Sequence, residues 1–196
     1  MSQKEFFDSI ANDWDNIIEV NEFKISKLLS KLDIKSDERI LDVGTGTGVL
    51  IPFLKKLNSS GYIKGIDISS GMLDVAKNKY KNITDLDFEL LDVENHKIKD
   101  KYDKIILYSM FPHLKDKTKT IKSLVENNLI KGGKLMIAHS NSREFLNNMH
   151  KEKDESVSED RLIPVHMQKN LFTEQGLNVI EAFEDNEMYY LLLKNN

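Results

Sequence analysis

Arg39-Ile40-Leu41-Asp42-Val43-Gly44-Thr45-Gly46-Thr47-Gly48 decides how the rest of the chain is read. A short aliphatic and β-branched run that stops at glycine has the pattern of a strand buried on both faces. Directly after it, Val49, Leu50, Phe53, Leu54 and Leu57 fall at helical spacing, with Pro52 tolerated in that helix's first turn. Glycines at a strand-to-helix junction take positive φ and let a ligand approach the N–H groups of the helix start. The dinucleotide fingerprint is Gly-x-Gly-x-x-Gly; here the third glycine, Gly48, comes one residue early and Val49 holds the fingerprint position. Asp42 turns a carboxylate toward the loop, which repels a pyrophosphate but suits a ligand with an ammonium or sulfonium cation.

Outward from this stretch the pattern alternates. Further strands are expected at Tyr62–Ile68, Leu86–Leu91, Tyr102–Tyr108, Lys134–His139, Asn178–Phe183 and Tyr189–Leu193. Helices are expected over 5–18, around Ile25–Leu32, and at Ser70–Lys81, Lys117–Leu129, Ser142–Lys151 and Val165–Gln175. Strands alternating with helices make a parallel sheet covered on both faces. Only Glu184-Asp185-Asn186-Glu187 separates the last two strands, too little for a crossover helix, so that pair is an antiparallel hairpin.

Two more acids follow Asp42 in register. Asp67 closes the second strand, where a carboxylate accepts hydrogen bonds from ribose hydroxyls; the alternative is that Asp67 and Ser69 cap the next helix. Asp92 ends the third strand, placed to accept from an adenine amino group, with Val93 and Met72 as apolar faces.

In Ile40–Gly48, Gly65-Ile66-Asp67-Ile68-Ser69-Ser70-Gly71-Met72-Leu73, Glu89–Val93 and Leu129-Ile130-Lys131-Gly132-Gly133-Lys134-Leu135, the chain resembles the class I S-adenosylmethionine-dependent methyltransferases of the small UbiE-like methyltransferase-domain group. Phe6-Phe7-Asp8 through Trp14-Asp15 is similar to that group's N-terminal lid helix. The resemblance implies an α/β, Rossmann-like three-layer sandwich. Its seven-stranded, mostly parallel sheet runs in the order 3-2-1-4-5-7-6 with strand 7 antiparallel, beside N-terminal lid helices. It implies S-adenosylmethionine as cofactor. Asp42 with Gly44, Gly46 and Gly48 would lie at the methionine moiety, Asp67 at the ribose and Asp92 at adenine beside Met72 and Val93, with Trp14, Thr45, Ile68 and Tyr108 completing the set. Trp14 has an alternative role as an anchor for the first helix.

Methyl transfer is an in-line displacement, so the enzyme supplies alignment and, where needed, a base. The fourth strand exits into Tyr108-Ser109-Met110-Phe111-Pro112-His113, without the Asn/Asp-Pro-Pro-Tyr/Phe pattern of enzymes that methylate exocyclic base amines. His139 ends the fifth strand and His150 lies one helix later. Carboxyl ends of strands face the ligand crevice in such sheets, so His113 and His139 are expected on the substrate side. Three roles stay open: a general base, a divalent-metal site built from His113, His139 and His150, or ordinary loop and cap histidines. Arg143, in the polar exit His139-Ser140-Asn141-Ser142-Arg143, suits a bidentate grip on a substrate carboxylate or phosphate. The charged run His150–Arg161 reads as an exposed loop that can serve as a substrate flap.

Composition bounds the reading. The 196 residues suit one domain: lid helices 1–35, a cofactor-binding core 36–139, a substrate-side segment 140–176 and a C-terminal hairpin 177–196. Zero cysteines exclude a thiol nucleophile, a Cys-ligated metal and the cysteine-dependent methyltransferases, including arsenite-type ones. A net charge of −4 argues against nucleic acid as a partner. No apolar run approaches a membrane span and acids stand where a signal peptide needs apolar residues, so the expected location is cytoplasmic with no membrane partner. The expectation is an enzyme that methylates a small molecule at O, N or S. The alternatives are a nicotinamide-dependent oxidoreductase, which Val49 and Asp42 disfavour, and a non-catalytic cofactor-binding module. Oligomeric state is not legible.

Overall fold

In the computed structural model, which describes residues 2–152 and 160–196, β1 (Arg39–Val43) runs through the middle of the sheet. It pairs in parallel with β2 (Tyr62–Asp67) on one side and β4 (Tyr102–Tyr108) on the other. β3 (Leu86–Leu90) continues outward beside β2, and β5 (Leu129–His139) beside β4, all parallel. β7 (Tyr189–Lys194) then adds antiparallel to β5, and β6 (Val179–Glu184) closes the edge antiparallel to β7. The order is β3-β2-β1-β4-β5-β7-β6, the one implied by the resemblance.

The period of two along each strand sorts the core into two layers. Ile40, Ile106, Met136, Ala138 and Leu192 face one side, packed on α3 (Glu22–Ser30) through Ile25, Leu28 and Leu29 and on α4 (Ile51–Leu57) through Ile51 and Leu54. Leu41, Val43, Ile105, Leu107, Leu135, Ile137 and Leu191 face the other. There they meet α6 (Lys117–Ser123), α7 (Arg143–Glu152) and α8 (Val165–Glu174) through Ile121, Leu146 and Phe172. α5 (Ser70–Lys79) crosses from β2 to β3. Among the described residues no helix is long and apolar enough to cross a membrane.

Three expected elements differ. The single helix over 5–18 is two, α1 (Gln3–Ile10) and α2 (Trp14–Ile17). A capping box between Ser2 and Glu5 starts α1; Ala11, buried against Gly71, then turns the chain so that α2 crosses the glycine loop. The helix expected to reach Leu129 stops at Ser123 and widens into a π turn, Leu124–Asn128. β5 begins five residues early, at Leu129, because Leu129 pairs with Tyr102 before a bulge at Gly132 and Gly133 restores register at Lys134 opposite Lys104.

Candidate functional site

A cleft of about 610 Å³ opens at the carboxyl ends of β1, β2 and β4, with α1 and α2 contributing its cover. Strand order reverses between β1 and β4, the place where an open α/β sheet leaves a crevice. The glycine loop forms its floor. Gly44 and Thr45 donate their N–H groups to the Ile66 carbonyl at 2.8 and 3.0 Å, which folds the loop back onto β2. Gly44 sits at φ 70°, and a Cβ there would come within 2.7 Å of the Met110 side chain. Any other residue at 44 would push the β4 exit off the loop.

The three carboxylates come together in this cleft. Asp42 is 2% exposed and accepts the Thr45 hydroxyl at 2.7 Å. Burial pushes its pKa up to about 7, against the Thr45 hydrogen bond and helped by the neighbouring Asp67. Asp67 accepts from Gly46 N at 2.8 Å and Ser69 N at 2.9 Å. Burial raises it as well, with those backbone donors pulling the other way. The capping alternative therefore holds in part: Ser69 itself caps α5 through Met72 N at 3.1 Å, and Asp67 braces both the loop and that cap. Asp92 accepts from Glu94 N at 2.9 Å and Asn95 Nδ2 at 2.7 Å in a tight turn at the cleft wall.

Two acids absent from the sequence reading of the site fasten the cover. Asp8 of α1 accepts from Ser69 Oγ at 2.6 Å and Gly71 N at 2.9 Å, so α1 caps α5 from outside. Hydrogen bonds, from Lys4 first and then Ser69, hold its carboxyl down at about 2. Asp15 of α2 joins Thr47 Oγ1 and Lys79 Nζ, each at 2.5 Å. Burial opposes its ionisation, yet the Lys79 and Thr47 hydrogen bonds leave it below the ordinary range. Phe7 links the two ends of the cleft, edge-on to Trp14 at 5.8 Å and to His113 at 5.4 Å.

Of the residues expected at the cofactor, Trp14, Asp42, Gly44, Thr45, Gly46, Asp67, Ile68, Met72, Asp92, Val93 and Tyr108 all line the cleft. Gly48 does not; it lies a turn further on, its carbonyl accepting the Tyr80 hydroxyl at 2.8 Å. The glycines and Asp42 thus leave close backbone approach and a buried negative group in one place, which fits a ligand carrying a cation.

The catalytic expectations divide. His113 lines the cleft, its Nδ1 2.5 Å from Asp160 Oδ2, and Gln3 Nε2 donates to the same carboxylate at 3.3 Å. His139 is corrected: it is 1% exposed and shares the strand face of Leu135 and Ile137, edge-on to Tyr189, and is not among the cleft-lining residues. Ser140, one residue on, takes the cleft side instead and accepts the Tyr108 hydroxyl at 2.8 Å. Arg143 is corrected too, because its guanidinium pairs with Glu184 of β6 at 3.0 Å, away from the cleft lining. The side chain of His150, and most of the flap expected at 150–161, lie outside the described residues. Among the described residues no group of three or more His, Cys, Asp or Glu side chains is arranged to hold a metal ion.

Asp160 had no local signal, being one acid in a charged run. Phe145, Leu146 and Met149 of α7, also in the cleft wall, lie in the helix expected at Ser142–Lys151 and carry no site signal of their own.

Comparison with known proteins agrees with this geometry. A family model described as a methyltransferase domain matches residues 34–195. The malonyl-[acyl-carrier protein] O-methyltransferase of Acetivibrio thermocellus is 33% identical over 123 residues, 62% of this chain and 43% of that protein. The chain thus spans less than half the length of that curated relative. Among solved structures, the chain bound to the Haloferax volcanii Trm112 methyltransferase activator superposes with a TM-score of 0.79 at 20% identity, covering 96% of this chain and 97% of that one. An S-adenosylmethionine-dependent methyltransferase from Aquifex aeolicus gives 0.72 at 19% identity over 95% and 98%. With a matching family model over most of its length and the sheet order of that fold, the chain belongs to the methyltransferase-domain family, in the class I S-adenosylmethionine-dependent group.

Proposed function

We propose that the protein transfers a methyl group from S-adenosylmethionine to a small-molecule acceptor whose proton is taken by His113. The observation that carries this reading is one cleft with Asp42, Asp67 and Asp92 at one end and the His113–Asp160 pair on its wall. S-adenosylmethionine supplies an electrophilic methyl on a sulfonium, which passes to an acceptor lone pair and leaves a neutral thioether. Asp42 provides the negative charge that favours a cationic ligand, Asp67 offers a ribose its remaining acceptor capacity, and Asp92 stands at the adenine end. Nδ1 of His113 beside Asp160 Oδ2 favours the tautomer protonated there, so an acceptor O–H or N–H gives its proton to Nε2. Asp160 then stabilises the imidazolium. Curated relatives named for malonyl-[acyl-carrier protein] favour a second reading, in which the acceptor arrives on a carrier.

The test is calorimetric titration with S-adenosylmethionine and with NADH, followed by an acceptor screen that follows S-adenosylhomocysteine release. Binding of the first and not the second is expected. His113→Gln is expected to lower kcat about a hundredfold at unchanged cofactor affinity. Undiminished kcat would remove the base assignment, and preference for NADH the whole reading.

A further inference from the structure

The carboxylates Asp42, Asp67 and Asp92 stand at the strand ends and Gln3, Lys4 and Glu19 line the cover, whereas the end of α2 and α7 present apolar side chains: Ile17 and the C-cap Ile18 from one side, Phe145, Leu146 and Met149 from the other. Ile17 is 55% exposed and Phe145 54%, and both line the cleft. Single exposed apolar side chains are ordinary, but these two stand on facing walls of one cleft, beside Ile18, Leu146 and Met149, and folding leaves both wet. The α7 wall is also firmly mounted. α7 is tied to β6 by Arg143–Glu184 at 3.0 Å. It is tied to the following segment by a reciprocal pair, Asn147 Nδ2 to Leu162 O at 2.9 Å and Leu162 N to Asn147 Oδ1 at 2.8 Å. Ser142 Oγ accepts Phe145 N at 3.2 Å and closes the helix start. A side chain held in place at a cleft wall and left half in water is arranged to be covered by something that enters the cleft.

We propose that the methyl acceptor has an apolar body, an alkyl chain or ring, which covers Ile17 and Phe145 while its heteroatom end lies toward the Tyr108–Ser140 hydroxyl pair and His113. This rests on the methyl-transfer reading for what happens at the heteroatom, but not for the binding of the apolar body. Burial of each added methylene strengthens binding by a definite step, about fourfold where it fits fully.

The experiment is calorimetric titration with para-ethyl-, para-butyl- and para-hexylphenol, on the protein alone and on the protein saturated with S-adenosylhomocysteine. Affinity is expected to rise about two- to fourfold per methylene. The rise should flatten in Phe145→Ser and in Ile17→Ser, with S-adenosylhomocysteine affinity changed by less than about twofold. Both positions are half-exposed, so the substitutions leave the core packing in place. A flat series on the unaltered protein overturns the proposal, as does a steep series that neither substitution changes. Failure of the methyl-transfer reading registers separately, as absence of S-adenosylhomocysteine binding, while the alkylphenol series on the protein alone still decides the acceptor class.

Discussion

At the end of the cleft proposed for the cofactor, each carboxylate accepts from a group two or three residues ahead of it, Asp42 from Thr45, Asp67 from Ser69 and Asp92 from Glu94, with Gly46 a further donor to Asp67. At the end proposed for the acceptor the contacts span the fold. His113 meets Asp160 across 47 positions, and Tyr108, between the two ends, meets Ser140 across 32. One end is thus a series of strand-exit turns, each carrying its own polar geometry. The other exists only once α1, α7 and the 160–164 segment have packed. The carboxylates of the first are held mainly by local turns, with Asp8 and Asp15 fastening a cover over them at long range, and tuning of the second is spread over packing contacts that carry no chemistry themselves. Substitutions should therefore separate cleanly into those that remove cofactor binding and those that alter the acceptor alone.

The largest effect expected is at Asp42. Its carboxylate is buried, so an unpaired cation opposite a neutral side chain loses a desolvated partner, worth several kcal/mol. Asp42→Asn is expected to weaken S-adenosylmethionine binding at least about a hundredfold by calorimetry without lowering the melting temperature at pH 8. Affinity within a few-fold of the unaltered protein would mean that the cation lies elsewhere and that the two ends of the cleft are not divided as described.

Next in size is a pH effect from the same residue. The folded-state pKa of Asp42, about 7, stands above the unfolded value of about 3.9. The folded chain therefore holds the extra proton in between, and this group's contribution to stability is full below about pH 4 and lost as pH rises through about 7. Cofactor binding runs the other way, because a cation favours the ionised carboxylate. Affinity is expected to fall up to about tenfold per pH unit below 7 and to level off above it, with a proton released on binding at pH 6. Titrations in buffers of different ionisation enthalpy measure that proton directly. An affinity independent of pH between 6 and 8 would contradict it, and Asp42→Asn should abolish the dependence.

The same division explains what the sequence made legible. The sheet order and the hairpin followed from motifs of a few residues in which chemistry and geometry share one turn, and eleven of the twelve residues expected at the cofactor line the cleft. His113 lines the cleft for the same reason, as the end of a strand exit. His139 misled because a strand end has two faces. Being two residues from Ile137 and four from Leu135, it inherits their buried side, while Ser140 takes the cleft. Asp160 was hidden, and Asp8 and Asp15 showed only as part of the lid-helix resemblance, because a carboxylate that reaches a partner 32 or more positions away has no local pattern to mark its role.

Arg143 supplies the smallest effect and the sharpest test of the division. Read from sequence it grips an anionic acceptor; in the fold it ties α7 to β6 through Glu184, with both side chains partly exposed. A pair of that exposure contributes at most about 1 kcal/mol. Arg143→Ala and Glu184→Ala are then expected to lower stability by similar small amounts, and the double variant by little more than either alone. Acceptor KM should rise no more than about threefold in all three, because Phe145 shifts only as α7 loosens. A substrate grip predicts the opposite asymmetry: KM for an anionic acceptor would rise tenfold or more in Arg143→Ala while Glu184→Ala left it unchanged. Steady-state kinetics on the two single variants therefore distinguishes a residue that holds the wall from one that holds the acceptor.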